Sequence, residues 1–363
     1  MRKIYLLLLV FVAFTGCKKN SAEPFKKPIE PVVVGPTVPI HKIRETANFK
    51  FGAAVKVGTI KSELTYDQTL KGEFNQITAE YEMKMNQIWM SETNYNFSNV
   101  DYLVSYAEQN NMAVHGHTLL WYASFPTWFK DANYDTVTFE NKVKDYITAV
   151  VGRYKGKIRS WDVANEIFND DGTLRAESQM QGKFKDPIGF IGRCFKLTHQ
   201  IDPAAKLFYN DYNVVLASGK RNAMKNMALR FKANGIPIDG LGEQFHYRIA
   251  TSQTSINNGF ADLASSGLLI HISEIDCRVN INNSSTYVFS DSDKQKQSDF
   301  FKNIVSLYNG LPAIQKFAIT LWGITDKYTW LRDSSNGNKE YPLLFDEYYN
   351  KKLAYNGFLE GLK

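Results

Sequence analysis

Cysteine and histidine are both scarce in this chain, with three Cys and six His among 363 residues. Cys194 and Cys277 are too few and too scattered for a disulfide framework and read as buried thiols. Six histidines leave little from which to assemble a multi-histidine metal centre. Long apolar runs are missing too: residues 4–14 form the longest near the start, short of the ~20 residues a membrane-crossing helix needs. Neither sign of charge dominates. The formal net charge is +6, and the basic residues lack the aromatic interleaving of a nucleic-acid surface, so no nucleic-acid partner is expected. No glycine-rich phosphate turn follows the first predicted strand, which argues against a dinucleotide-binding open sheet. What is present is an ordinary globular composition, 44% hydrophobic and 22% charged. Its aromatic share of 14% suits a core or the lining of a groove.

The N-terminus reads as a processing segment. Arg2-Lys3 precedes the apolar run, and Thr15-Gly16-Cys17 then offers small residues before a cysteine. This resembles a bacterial lipoprotein signal: residues 1–16 would be the leader and Cys17 the lipid-modified first residue. Phe14 stands where that pattern usually has an aliphatic residue. Lys18, in place of Asp, favours the outer membrane, on its periplasmic face or at the cell surface. Residues 17–45 carry five of the eleven prolines and read as a semi-rigid tether. Residues 46–363 show no second linker and are expected to form one domain, acting as a monomer.

Eight short apolar runs in that domain suit buried parallel strands: residues 49–55, 76–80, 113–119, 160–166, 206–211, 240–246, 268–274 and 317–323. Segments of helical periodicity separate them, for example 100–110, 139–154 and 188–199, the last opening just after Pro187. Eight strand–helix units in series predict a (β/α)₈ barrel, an α/β TIM barrel. Nearly every run ends in a polar or indole side chain: Glu80, His117, Asn165 with Glu166, Asn210 with Asp211, Gln244 with His246, Glu274 and Trp322. In such barrels those ends converge on one mouth.

Glu166 and Glu274 close two of the runs. A glutamate at the end of an apolar run is ordinarily a solvated loop residue, but two on different strands suit glycosidic bond cleavage, one carrying a proton and the other ionised. Their neighbours are Trp161-Asp-Val-Ala-Asn165-Glu166, Ile272-Ser-Glu274-Ile-Asp276, His115-Gly-His117-Thr-Leu-Leu-Trp121, Gly242-Glu-Gln244-Phe-His246 and Leu321-Trp322-Gly-Ile-Thr-Asp326-Lys-Tyr-Thr-Trp330. With these motifs the domain resembles glycoside hydrolase family 10, the retaining endo-1,4-β-xylanases, over essentially its whole length.

The resemblance implies a xylan or related β-glycan as substrate and no cofactor. It makes Glu166 the acid/base and Glu274 the nucleophile. Asn165 would donate to the sugar 2-hydroxyl, His246 and Asp276 would orient Glu274, and Gln244 would stand in the same shell. Glu80, Lys84 and His117 would hold glycone hydroxyls, with Trp121, Trp322 and Trp330 as walls for pyranose rings. Four residues depart from the family pattern: Tyr81 for Asn, Met85 for Trp, Tyr122 for His and Ser124 for Gln. All four are expected on the substrate-holding side, which leaves a decorated xylan or another β-glycan open. Two other readings stand beside this one. His115 and His117 could be a metal pair, and the barrel could be a glycan-binding lipoprotein without turnover.

Overall fold

All eight runs form strands in the computed structural model, which describes residues 41–176, 183–335 and 337–363. The leader, Cys17 and the tether up to residue 40 lie outside the described residues. The strands are β1 Lys50–Val55, β2 Gln76–Ala79, β3 Ala113–Gly116, β4 Ser160–Asn165, β5 Lys206–Asp211, β6 Gly240–Glu243, β7 Leu269–Arg278 and β8 Lys316–Leu321. Each pairs in parallel with its neighbour in sequence, and β8 pairs with β1, so the sheet closes on itself. A helix follows every strand: α1 Leu64–Glu73, α2 Ser98–Gln109, α3 Thr136–Arg153, α4 Pro187–Ile201, α5 Ser218–Ala233, α6 Gln253–Ala264, α7 Asp291–Asn309 and α8 Leu353–Gly361. This is the (β/α)₈ barrel that the order of runs predicts.

Helix starts follow local capping. The α3 helix begins three residues before its apolar periodicity because the Asp135 carboxylate accepts from the Thr138 N–H. Asp186 does the same for Gly189 at the head of α4, with Pro187 in the first turn. A single helical turn, Ile43–Thr46, precedes the barrel. Ile43 is buried and its N–H donates to the Tyr355 hydroxyl on α8 at 3.1 Å, so packed structure starts ahead of residue 46.

The barrel interior mixes rings with hydrogen-bonded polar groups. His115, Phe208, His271 and Phe317 meet edge to face or tilted, with His115 and His271 centroids 4.6 Å apart. His271 Nε2 bonds Thr320 at 2.8 Å, and burial with a neighbouring imidazole keeps this ring well below the ordinary histidine pKa. Cys194 and Cys277 are free and buried, as their spacing suggests.

Two register shifts decide where the strand ends point. On β7, Ile272 and Ile275 face Ile319 and Leu321, three residues against two. Ser273 and Glu274 therefore both reach Asn210 although they are consecutive. On β4, Asp162 and Ala164 face the consecutive Phe208 and Tyr209. Ser160 and Asp162 bond inward to His115, and Asn165, of opposite parity, also turns inward. A bulge re-aims the side chains beyond it, and these two turn Asn165 and Glu274 into the mouth.

Gly242 on β6 must lack a side chain, because a Cβ there would run into the Asn210 side-chain oxygen. Gly242→Ala is expected to destabilise the protein by about 1–3 kcal/mol, the usual effect of overpacking. Gly58 lies in a helical turn with nothing within 4 Å of its virtual Cβ. Gly58→Ala is expected to stabilise by about 0.5–1 kcal/mol. Urea unfolding of the two variants reads both signs, and equal shifts would contradict this account of the β5–β6 contact.

Candidate active site

The strand ends surround a cleft of about 590 Å³. Glu166 and Glu274 both line it, together with Asn165, Gln244, His246, Glu80, Lys84, His117, Trp121, Trp322 and Trp330. Asp276 sits behind this lining and takes part through His246 and Trp330.

The two carboxylates are joined by a chain of amides. Gln244 Nε2 donates to Glu166 Oε1 at 2.9 Å and reaches Asn165 Oδ1 at 3.5 Å. Asn210 Nδ2 donates to that same Asn165 oxygen at 2.9 Å and to Glu274 Oε1 at 2.8 Å. The Asn165 carbonyl oxygen is thus committed to the protein, and its N–H₂ end is the donor it can offer a ligand. The second Glu166 oxygen accepts from the Trp121 indole at 2.9 Å. Short strand extensions set up these contacts: Leu120–Trp121 pairs with the end of β4, and His246–Arg248 pairs with Asp276, Cys277 and Arg278.

Glu274 and Glu166 differ in their surroundings. His246 contacts Glu274 Oε2 through Nε2 at 3.3 Å and Asp276 through Nδ1 at 2.9 Å. Burial disfavours the imidazolium, but Asp276 and Glu274 outweigh it and push His246 up to about 10. At neutral pH it is a cation against Glu274. Burial likewise opposes ionisation of Glu274. The His246 hydrogen bond, the charges of His117 and His246, and the Asn210 hydrogen bond together hold its carboxyl below the ordinary range. Glu166 has an amide donor on one oxygen and an indole donor on the other, and no cation bonds its carboxylate among the described residues.

Glu166 also has an unusual backbone, with φ +56°. For a side-chain-bearing residue this left-handed geometry costs about 1–3 kcal/mol and persists only where its surroundings fix it. Three hydrogen bonds do so. The Glu166 N–H donates to the Asn210 carbonyl at 3.0 Å, Arg175 Nε donates to the Glu166 carbonyl at 3.1 Å, and the Ile167 N–H donates to the Tyr209 hydroxyl at 3.0 Å. Tyr209 in turn donates to Asp211 at 2.5 Å, and Lys220 bonds the other Asp211 oxygen.

His115 and His117 are not arranged as a metal pair. Both present a ring nitrogen to Asp162 Oδ2 at 2.9 Å, and the other His115 nitrogen meets the Ser160 hydroxyl at 2.7 Å. Both His115 nitrogens are therefore engaged, and the shared carboxylate orients the His117 ring at the cleft wall.

The four departures do not all face the substrate, contrary to the expectation from sequence. Tyr81 does line the cleft. Met85 is fully buried in the core, and Ser124 is buried with its hydroxyl on the Trp121 carbonyl. The Tyr122 ring lies under the Arg175 guanidinium at 4.8 Å, beside the Glu166 backbone. Met85 and Ser124 point inward because the helical turns after β2 and β3 pack them on the barrel, a tertiary effect that motif matching does not register. Sequence reasoning also gave no role to Asn210, Asp162 or Arg175. Asn210 had a signal, as one of the polar strand ends. Arg175 had none, since it lies in the loop beyond β4.

The raised pKa of His246 has a consequence for stability. Its value goes from 6.5 to about 10 on folding, so its stabilising contribution is full below pH 6.5 and is lost as pH rises through about 10. The difference in melting temperature between the parent protein and His246→Asn should therefore narrow over that interval. A gap independent of pH would show that His246 is not held as a cation.

Comparison with known proteins agrees with this geometry. The family profile described as Glycosyl hydrolase family 10 matches residues 40–361. Endo-1,4-beta-xylanase 3 of Hypocrea jecorina is 33% identical over 321 residues, covering 87% of this chain and 83% of the relative. The native xylanase 10B structure from Thermotoga maritima superposes with a TM-score of 0.81 at 32% identity, covering 89% of this chain and 98% of the other. A mutant xylanase 10C of Cellvibrio japonicus, solved in complex with xylopentaose, gives a TM-score of 0.82 at 32% identity, covering 89% and 69%. A closed barrel whose mouth brings together two glutamates from different strands, with a match of this extent, is sufficient: the chain belongs to glycosyl hydrolase family 10 and is a glycoside hydrolase.

Proposed function

We propose that the enzyme is a retaining endo-1,4-β-xylanase, with Glu274 as nucleophile and Glu166 as acid/base. The observation that carries this reading is the unequal environment of two carboxylates in one cleft. Glu274 bears against a cationic His246 and stays ionised below the ordinary range. Glu166 is held by neutral donors from Trp121 and Gln244.

The chemistry follows from those positions. Glu274 attacks the anomeric carbon while Glu166 gives its proton to the departing glycosidic oxygen, leaving a glycosyl ester on Glu274. Glu166, now a carboxylate, takes a proton from water. The resulting hydroxyl attacks the anomeric carbon and releases Glu274, so both groups return to their starting forms. Asn165 offers its N–H₂ end to the sugar 2-hydroxyl, a contact that strengthens as positive charge develops on the ring. Glu80, Lys84 and His117 hold glycone hydroxyls, and Trp322 and Trp330 wall the pyranose rings. The cleft lining reaches well beyond the carboxylates and includes Tyr81, Lys84, Asn213 and Arg248, which suits cutting within a chain. Xylan is the substrate favoured by the named activities of the relatives and by the xylopentaose complex of the Cellvibrio protein.

Glu274→Ala is expected to lower kcat on xylan by at least roughly 10³-fold, with the product of the parent enzyme keeping the β configuration when followed by NMR. Glu166→Ala should lose less on an aryl xyloside whose leaving group needs no proton, and azide should rescue it as a β-glycosyl azide. Release of α-configured product, or turnover of mannan or cellulose with xylan untouched, would refute the proposal. The leader and Cys17 support export and lipid anchoring at the outer membrane. Cys17→Ala should move the protein from the detergent-phase membrane fraction to the soluble one, and an unchanged distribution would count against the anchor.

A further inference from the structure

In the glycanase reading above, Glu80, Lys84 and His117 hold the glycone, so the end of the cleft lined by Glu80, Tyr81 and Lys84 is the glycone end.

At that end the protein's own Tyr81 lies against the polar groups. Burial raises the pKa of the Glu80 carboxyl, and the Tyr81 hydroxyl acts against that rise. Its ring has the Lys84 ammonium 4.8 Å from its centroid on one side and that of Lys56 at 5.4 Å. Lys56 also pairs with Glu80 at 3.3 Å, and Lys84 lies 4.8 Å from the Trp121 ring. The backbone beneath is fixed by Glu82, whose carboxylate accepts from the Val57 and Tyr81 N–H groups. Yet the Tyr81 side chain is not part of the core: the residue is 42% exposed and lines the cleft. It is a phenol standing, toward Glu80 and Lys84, where the hydroxyls of a sugar would reach those two side chains.

We propose that Tyr81 caps the glycone end of the cleft, so that a second glycone sugar must displace its ring from Glu80 and Lys84, and productive binding is set by one glycone sugar and the aglycone side. The inference rests on the glycanase reading above and specifies which part of the chain that site grips. A second glycone ring then adds little to kcat/KM, because it reaches Glu80 and Lys84 only at the expense of the contacts that Tyr81 already makes.

The test compares an aryl β-xylobioside with the aryl β-xyloside bearing the same leaving group. In Tyr81→Asn the ratio of their kcat/KM values should rise roughly tenfold, the worth of one freed hydrogen-bonding contact. Tyr81→Phe, which keeps the ring beside the two ammonium groups and loses the hydroxyl, should raise it by less. A ratio that stays constant overturns the cap and leaves the xylanase reading standing. A ratio that falls also overturns it, since the ring would then be a platform on which the second sugar stacks. Should only the matching aryl glucoside and cellobioside be cleaved, the xylan reading fails and the same ratio is read on that pair. Cleavage of neither pair by the parent enzyme overturns both.

Discussion

Asn210 is the joint on which the cleft depends. Its Nδ2 donates to Asn165 and Glu274, and its Oδ1 accepts from Ser273. One amide on β5 thus fixes side chains on β4 and β7, while its backbone carbonyl holds the Glu166 N–H. Bringing two carboxylates together in a poorly solvated mouth is unfavourable unless hydrogen bonds and opposite charge offset the loss of water. Asn210 provides the hydrogen bonds common to both sides. The absence of a side chain at Gly242 leaves room for it to do so.

Charge then separates the roles that this geometry would otherwise leave equivalent. The Asp276 carboxylate lies behind His246 and accepts from both His246 and the Trp330 indole, so the imidazole is fixed in orientation and kept cationic. A fixed cation beside Glu274 favours its ionised form throughout the cycle's resting state. Asp211, a third buried carboxyl near Glu166, is pushed up to about 7 by burial against the pull of Lys220 and Tyr209. Its carboxylate supports the Glu166 turn through Tyr209.

The barrel was legible because its strands are buried on both faces and so appear as apolar runs of the right length, with polar residues at their ends. Every one of the eight runs contains a strand, and α3 differs from its periodic segment by the first turn that Asp135 caps and by one residue at its end. The convergence of Glu166, Glu274 and their neighbours was legible by the same strand-end logic together with the motifs. The bulges on β4 and β7 were not. Simple alternation from His271, which points inward, would send Glu274 outward, and only the paired strand reveals the extra residue. The left-handed Glu166 is equally silent, since it is imposed by partners from β5 and the Arg175 loop. Nor could the sequence separate Met85 and Ser124, which pack inward, from Tyr81, which does not.

That last distinction bears on how the site tolerates change. The ties on the two carboxylates come mostly from β4 through β7: Asn165, Asn210, Gln244, His246 and Asp276. Tyr209 and Lys220 support them from behind. The departures from the family pattern all follow β2 or β3, and β3 adjoins β4. From this arc Trp121 bonds Glu166 and His117 favours the ionised Glu274, and both are retained. A rigid strand transmits little of a neighbour's rearrangement when its own side chains are hydrogen-bonded across to the next strand. Of the four departures, Tyr81 lines the cleft and Met85 packs in the core, while Ser124 bonds the Trp121 carbonyl and Tyr122 lies under Arg175, which bonds the Glu166 carbonyl. The β2–β3 arc thus meets Glu166 through Trp121 and through the Tyr122–Arg175 contact, while Asn210 on β5 ties Asn165 to Glu274 across the mouth.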